Sequence, residues 1–339
     1  MRAITIPKNG PPSVLEVREY PDPTPKDGEV RIAVRAAGLN FAEISARQGL
    51  YPDAPPLPSV VGYEVAGIVD AVGPGVTRHK EGDRVLAMTR FGGHATLVVV
   101  PEAMAFTMPV QMTFSEGAAL PVNYLTAHHM LFQIGTVLPG SSLLIHSAAG
   151  GVGTAVLQLI RPIKNVISFG TASASKHDYL RALGCTHPID YRTDDYFDIV
   201  KEKTNGRGVE LVLDPLGGSN WKKSWNLLAP AGRMVCFGFS AGIEGDRLSY
   251  LRVATQAMQM PFITPIKAMN DNRGLQGVNM GHLWNEGHIL EPQIRRLIEL
   301  YEQGVVKPHV DAEVKFDRAA EAHEMIESRR SKGKIVLIP

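Results

Sequence analysis

The sequence predicts an α/β protein in two parts: a small all-β unit followed by a parallel, doubly wound sheet. Three observations carry that expectation. Near residue 122 the pattern changes from short alternating strands to strand–helix pairs. From Ser142 to Phe237 those pairs recur at an interval suited to parallel crossovers. The first pair is joined by a glycine-rich turn, Ser147–Gly153. Length agrees, since 339 residues suit about two domains at roughly 150 residues each.

In the first part, Leu15–Glu19, Glu29–Ala36, Val65–Val72, Arg84–Met88 and Ala95–Val100 carry β-branched or alternating apolar residues. Turns such as Lys26-Asp27-Gly28, Gly73-Pro74-Gly75 and Glu81-Gly82-Asp83 separate them. The expected result is a barrel-like β unit. Ser115–Ala119 reads as a helix start capped by Ser115, and Tyr124–Phe132 as a helix after Pro121. The alternating series follows. Its expected strands are Leu143–His146, Val166–Phe169, Val209–Leu213 and Met234–Phe237; its expected helices are Gly153–Ile160, Lys176–Leu183, Tyr196–Lys203 and Trp221–Leu228. Residues 239 to 285 are less regular, with methionines between Met258 and Met280 that suit core filling or a subunit contact. Ile294, Leu297, Ile298 and Tyr301 follow helical spacing, with Gly304 to end that helix. Asp317 is the expected cap of a second helix through Ile326, and Lys334–Ile338 is a final strand that returns to the first unit.

Composition excludes several classes. Apolar residues make up 44% and charged residues 20%, which fits a globular chain rather than a disordered one. A net charge of +1 gives no general attraction to nucleic acid or an anionic membrane. Two cysteines, Cys185 and Cys236, exclude a disulfide scaffold and a four-cysteine zinc lobe. No apolar run is long enough to span a bilayer, and the N-terminus lacks a secretory h-region, so a cytoplasmic protein is expected.

The run Leu143–Gly153 reads strand, glycine turn, helix. Glycines let backbone approach a pyrophosphate, and a helix N-terminus presents N–H groups and a positive dipole end to it. Ala148 replaces the first glycine of the usual fingerprint. The alternative is a tight turn with no ligand. After the next strand, Gly170–Ser175 offers hydroxyls and then Lys176, with no carboxylate before Asp178. An NAD site places a carboxylate there for the ribose, so this arrangement favours the 2′-phosphate of NADPH. A merely solvated first-turn lysine is the competing reading of Lys176.

These motifs resemble the medium-chain dehydrogenase/reductase superfamily over essentially the whole chain. Ala37–Glu43, Gly62–Gly67, Gly82–Val85 and the Ala148–Gly153 loop occur in its order. Asn40 and the loop resemble the zinc-free quinone oxidoreductase branch. Gly170–His177, Thr186–Tyr191 and Asp214–Ser219 resemble the vesicle amine transport protein homologues within it. The resemblance implies a GroES-like domain at 1–122, a Rossmann domain for NADPH at 123–284, and a C-terminal return at 285–339. Alcohol dehydrogenases of this superfamily bind catalytic zinc with a cysteine where Asn40 stands and a histidine where Tyr63 stands. Glu64 alone does not make a zinc site. No metal is therefore expected.

By the same resemblance, Ala149, Gly150, Gly151, Val152 and Gly153 sit against the pyrophosphate. Thr126 lies near the nicotinamide-side phosphate. Gly170, Thr171 and Ser173 are near the adenosine end, where Lys176 and Tyr191 clamp the 2′-phosphate. Phe237, Gly238 and Phe239 run along the nicotinamide, and Arg329 reaches the cofactor from the C-terminal segment. Asn40 and Tyr51 match residues lining the nicotinamide and acceptor cleft. The Asn40 amide and the Tyr51 and Tyr63 hydroxyls are candidate donors to the oxygen that gains charge, beside the cofactor's ribose hydroxyl and water; packing within the fold is the competing reading of each tyrosine, and backbone bracing that of Asn40. Two departures bear on the acceptor: relatives often carry threonine at Tyr63, and a second tyrosine at Ser45. The implied function is zinc-independent hydride transfer from NADPH to a quinone or α,β-unsaturated carbonyl, in a homodimer paired along an edge strand near Leu275–Met280. An enoyl-thioester reductase, or an NADPH-binding vesicle-associated interaction protein with little turnover, are the alternatives. An esterase lacks support, because no G-x-S-x-G elbow occurs.

Overall fold

The structure is a computed structural model in which residues 1–240, 254–256 and 258–339 are described. Positions 241–253 and 257, within the irregular stretch after Phe239, lie outside the described residues. The chain divides into two compact units, Met1–Leu125 with Met280–Pro339, and Thr126–Asn279.

The first unit begins with β1 (Arg2–Thr5) and β2 (Glu16–Glu19), an antiparallel pair. β3 (Glu29–Leu39) is its long central strand. It pairs with β4 (Glu64–Val72) on one side and, over its first half, with β6 (Leu97–Pro101) on the other. β4 continues to β5 (Arg84–Met88), and β5 to β7 (Ala105–Thr107). Gly67 shows why a glycine interrupts β4: a Cβ there would lie 2.2 Å from the Ala33 carbonyl oxygen. Helix α1 (Phe41–Arg47) follows β3 directly and was not expected from periodicity, because Glu43, Ser45 and Arg47 face inward. α2 (Phe114–Ala119) is capped by Thr113, not Ser115. The Thr113 hydroxyl accepts the Glu116 amide, and the Glu116 carboxylate accepts the Thr113 amide, a reciprocal pair that outcompetes the serine two residues on. α3 (Pro121–His128) then passes into a π-helical turn, His129–Ile134.

The second unit is one parallel sheet. Its strands are β8 (Ser142–Ile145), β9 (Ile167–Ala172), β10 (His187–Asp190), β11 (Val209–Asp214), β12 (Leu228–Cys236) and β13 (Gly274–Gly277). They lie in the order β10-β9-β8-β11-β12-β13, all parallel. This is the dinucleotide-binding order, in which strand direction of travel reverses between β8 and β11. The connecting helices are α4 (Gly151–Ile160), α5 (His177–Ala182), α6 (Tyr196–Lys203) and α7 (Ser219–Asn226), with α8 (Pro265–Asp271) before β13. Leu144, Phe169, Val212, Met234 and Trp225 fill one core.

The chain then re-enters the first unit. α9 (Gly287–Glu302) ends before Gly304, which takes the left-handed conformation expected of it (φ 71°). β14 (Val310–Lys315) and β15 (Lys334–Ile338) are parallel to each other, and β15 pairs antiparallel with Ala37–Leu39 of β3. Between them is α10 (Ala319–Glu327). Asp317 is not its cap: it falls inside a 3₁₀ turn, Phe316–Arg318, that displaces the helix start to Ala319.

Candidate functional site

In the second unit the strand-order reversal puts a crevice at the carboxyl ends of β8 and β11. β8 leads into the predicted glycine loop there. Ser147 turns at φ 54°, and its carbonyl accepts the Gly150 amide at 2.9 Å. Gly150 is the N-cap of α4 with no side-chain cap, so the first amides of the ten-residue helix are left without an intrahelical acceptor. Gly153 has no room for a side chain: a Cβ would stand 2.4 Å from the Ala148 carbonyl oxygen. Together these features form a cradle of backbone donors at a positive dipole end, and they fit a pyrophosphate.

Beyond β9, Ser173 is buried and its hydroxyl lies 3.3 Å from that of Ser175, while Lys176 is half-buried at the end of the turn. Sequence reasoning missed Asp190, at the end of β10. Its carboxylate accepts the Ala174 amide at 3.1 Å and the Arg192 amide at 3.0 Å. It thus fixes the Ser173–Lys176 turn and the loop of Tyr191 with both oxygens occupied by backbone. Arg192 lies over the Tyr191 ring. Gly170 is closed against Cys185, whose Sγ would lie 2.8 Å from an added Cβ. Beyond β12, Phe237 donates its amide to the Asp214 carbonyl, and Gly238 sits against Pro215. Phe239 covers Gly217 and meets Trp221 at 6.0 Å between ring centroids. Thr126 is buried in α3. Burial pushes both thiols up, that of Cys236 to about 12, so neither is a nucleophile.

The first unit holds a buried ionic cluster where α1 leaves β3. The Lys334 ammonium bonds Glu64 Oε1 and, at 2.5 Å, Asn40 Oδ1. Asn40 Nδ2 donates to Glu64 Oε1 at 3.1 Å and leans toward Glu43 Oε1 at 3.4 Å. Glu43 Oε2 accepts the Asn40 amide, and Glu64 Oε2 accepts the Val122 amide. Glu43, Glu64 and His94 are 0% exposed and Lys334 3%. Burial pushes the Glu43 carboxyl up to about 7, with Lys334 pulling it down and Glu64 adding to the rise. The His94 imidazole goes to about 4, mainly through burial, while its Nε2–H bond to the Gly38 carbonyl opposes the change. Nearby, Tyr63 meets Tyr51 edge-on at 6.1 Å and Phe91 at 5.3 Å. The Tyr63 hydroxyl is buried, and burial, with a contribution from the neighbouring Tyr51 hydroxyl, pushes its pKa far above the usual phenol value, so it stays protonated. Arg329 belongs to this unit and is exposed just after α10, with φ 54°.

The donor set does not suit zinc. Glu64 is already neutralised by an ammonium, its neighbours are an amide and a phenol, and among the described residues no group of three or more His, Cys, Asp or Glu could hold a metal ion.

A parallel sheet in this order, with a glycine loop at its crossover, defines a dinucleotide-binding fold. Two family models match the chain, an alcohol dehydrogenase GroES-like domain over 26–110 and a zinc-binding dehydrogenase domain over 183–337. The human synaptic vesicle membrane protein VAT-1 homolog is 44% identical over 325 residues, spanning 96% of this chain and 82% of that protein. The chain belongs to the medium-chain dehydrogenase/reductase superfamily, alongside the VAT-1 homologues. Among solved structures, the Escherichia coli quinone oxidoreductase complexed with NADPH superposes with a TM-score of 0.89 at 30% identity, covering 100% of both chains. The human VAT-1 homolog-like protein gives 0.86 at 34% identity, covering 100% of this chain and 98% of that one. No helix among the described residues is long and apolar enough to cross a membrane.

Proposed function

We propose that this chain is a zinc-independent oxidoreductase that uses NADPH to reduce a quinone or an α,β-unsaturated carbonyl. The observation that carries the reading is the cluster of Asn40, Glu43 and Glu64, in which the Lys334 ammonium bonds the Glu64 carboxylate. The likeness to a quinone oxidoreductase crystallised with NADPH supports it.

When bound, NADPH supplies the hydride. The amides of Gly151, Val152 and Gly153 hold the pyrophosphate. Ser173, Lys176 and Tyr191 would hold the 2′-phosphate, on a turn and loop that Asp190 fixes through backbone amides. The Tyr63 hydroxyl, held protonated, would donate to the acceptor oxygen as negative charge develops there. Tyr51 packs beside it. Asn40 commits its amide hydrogens to Glu64 and Glu43, so its part is to hold the cluster together. A phenol this hard to ionise gives a hydrogen bond and keeps its proton, so water delivers the proton that completes reduction. The reading includes a homodimer formed along β13, the exposed sheet edge carrying Leu275, with Ile266 and Met269 of the adjoining helix exposed as well.

The test is NADPH oxidation across a panel of quinones and enones, with NADH in parallel. Turnover with NADPH and little with NADH is the expected result. Absence of turnover across the panel at saturating NADPH refutes the enzymatic reading, and light scattering at monomer mass refutes the dimer.

A further inference from the structure

His146, Thr171, Ser224 and Asp214 form a buried polar chain at the carboxyl ends of β9, β8 and β11, each 3% exposed or less. The direction of every bond in it can be assigned by counting protons. A hydroxyl has one to give. Ser224 Oγ, 2.6 Å from Asp214 Oδ2, gives its proton to the carboxylate. Its 3.3 Å contact with His146 Nε2 therefore has Nε2–H as the donor. In a neutral imidazole Nδ1 then accepts, and Thr171 Oγ1, 3.2 Å away, donates to it. The same threonine oxygen accepts the Ser147 amide at 3.3 Å. All four donors point one way, from the loop backbone to Asp214, and such aligned chains polarise one another. A protonated imidazole would turn the Thr171 bond around and break the sequence. Burial favours the neutral form, against the pull of Asp214.

Both ends of the chain are anchored in loops at the crevice. Asp214 Oδ1 accepts the Leu216 amide at 2.7 Å and the Gly217 amide at 3.4 Å, which shapes the turn after β11. At the other end lies Ser147, a non-glycine residue at φ 54°. That conformation is strained and persists only where neighbours enforce it. The His146 ring is further fixed edge-on against Tyr196 at 4.7 Å. Ser224 is not a nucleophile here: it is 0% exposed and gives its proton to Asp214.

We propose that this chain braces the dinucleotide loop, with His146 as a positioning residue whose Nε2–H tautomer locks the Ser147–Gly150 turn to the Pro215–Gly218 turn and so aims the amides of Gly151–Gly153. The inference rests on the NADPH reading of that loop. Ser224 is too deeply buried to touch any ligand, which makes it the informative position. NADPH dissociation constants are measured by fluorescence for the wild type, Ser224→Ala, Thr171→Val and Thr171→Ser, each checked for folding by circular dichroism. Ser224→Ala and Thr171→Val weaken binding about tenfold; Thr171→Ser, which keeps the hydroxyl, stays within about twofold. A folded Ser224→Ala protein that binds NADPH as the wild type does overturns the brace. The second readout needs no ligand and no variant: ¹⁵N spectra of the wild type at pH 7 show His146 as the neutral Nε2–H tautomer, whereas an Nδ1–H tautomer or an imidazolium overturns it. A wild type that binds no NADPH refutes the cofactor reading instead, and the tautomer still decides the brace.

Discussion

Glu43 and His94 are fully buried 4.0 Å apart, and each is displaced from its ordinary titration range in the opposite sense. Glu43 moves from 4.5 to about 7. The folded chain therefore keeps a proton on it between those limits that the unfolded chain has lost. Its contribution to stability is full below pH 4.5 and disappears as pH rises to 7. His94 moves from 6.5 to about 4. Here the folded chain lacks a proton that the unfolded chain holds, so the contribution is full above pH 6.5 and disappears as pH falls to 4. Each displacement spans about 2.5 pH units, or about 3 kcal/mol. Between pH 4.5 and 6.5 the two slopes are equal and opposite. In the wild type they offset each other, while the lowered His146 and His323 add slope in the sense of His94, so single variants are needed to expose each.

The perturbation is Glu43→Gln, which keeps an acceptor for the Asn40 amide and removes the titration. Unfolding in urea is followed by circular dichroism from pH 4.5 to 8, with each transition fitted separately because the two units can unfold independently. The quantity read is the wild-type stability minus that of Glu43→Gln, in which titrating groups outside the cluster cancel. It should fall by about 3 kcal/mol from pH 4.5 to 7. The matching difference for His94→Asn should rise by about 3 kcal/mol from pH 4 to 6.5. A Glu43 difference that is flat within about 0.5 kcal/mol, the usual scatter of such comparisons, refutes the argument, because the carboxylate would then be ionised in the fold as it is in the unfolded chain.

Three further outcomes follow from the same geometry. Lys176→Ala should raise the NADPH dissociation constant roughly ten- to hundredfold, the value of a charge-assisted bond, and leave NADH binding unchanged in a parallel fluorescence titration. Tyr63→Phe should lower kcat for quinone reduction about a hundredfold with unchanged NADPH affinity, since it removes a donor to the acceptor oxygen and nothing from the cofactor loop. Lys334→Met should cost about 3–5 kcal/mol in urea unfolding by leaving Glu64 buried and unbalanced, and pairing it with Glu64→Gln should recover much of that loss.

The second unit was largely legible in the sequence because its information is local. Strand, turn and helix follow each other within Ser142–Ile160, the glycines sit where backbone must approach closely, and Tyr196–Lys203 has the bounds expected from its spacing. Missed elements carried little periodic signal. β10 is only His187–Asp190 and contains a proline, and α1 buries Glu43 and Arg47 on the face where an apolar stripe would announce a helix. The misplaced caps have the same origin. Thr113 outcompetes Ser115 through a partner three residues on, and Asp317 is absorbed into a 3₁₀ turn before its helix begins. Asp190 gave no sign of its role, because its partners are backbone amides, which leave no trace in the residue pattern.

The site residues Asn40, Tyr51 and Tyr63 could be named from the sequence, but what surrounds them could not. Lys334 meets Glu64 across 270 positions, from the first residue of a strand that reads as a simple apolar run. A buried carboxylate without a counter-charge would shift to its neutral form or destabilise the fold by several kcal/mol. The return of the C-terminal strand is therefore an electrostatic requirement of the first unit as well as a packing one. β15 brings apolar residues to β3 and also the ammonium of Lys334, which bonds Glu64 and Asn40. That charge balance shapes the chemistry proposed for the site. With Glu64 bonded to Lys334 and Asn40 committed to it, neither can polarise an acceptor oxygen directly, and the protonated hydroxyl of Tyr63, beside Tyr51, is left as the donor.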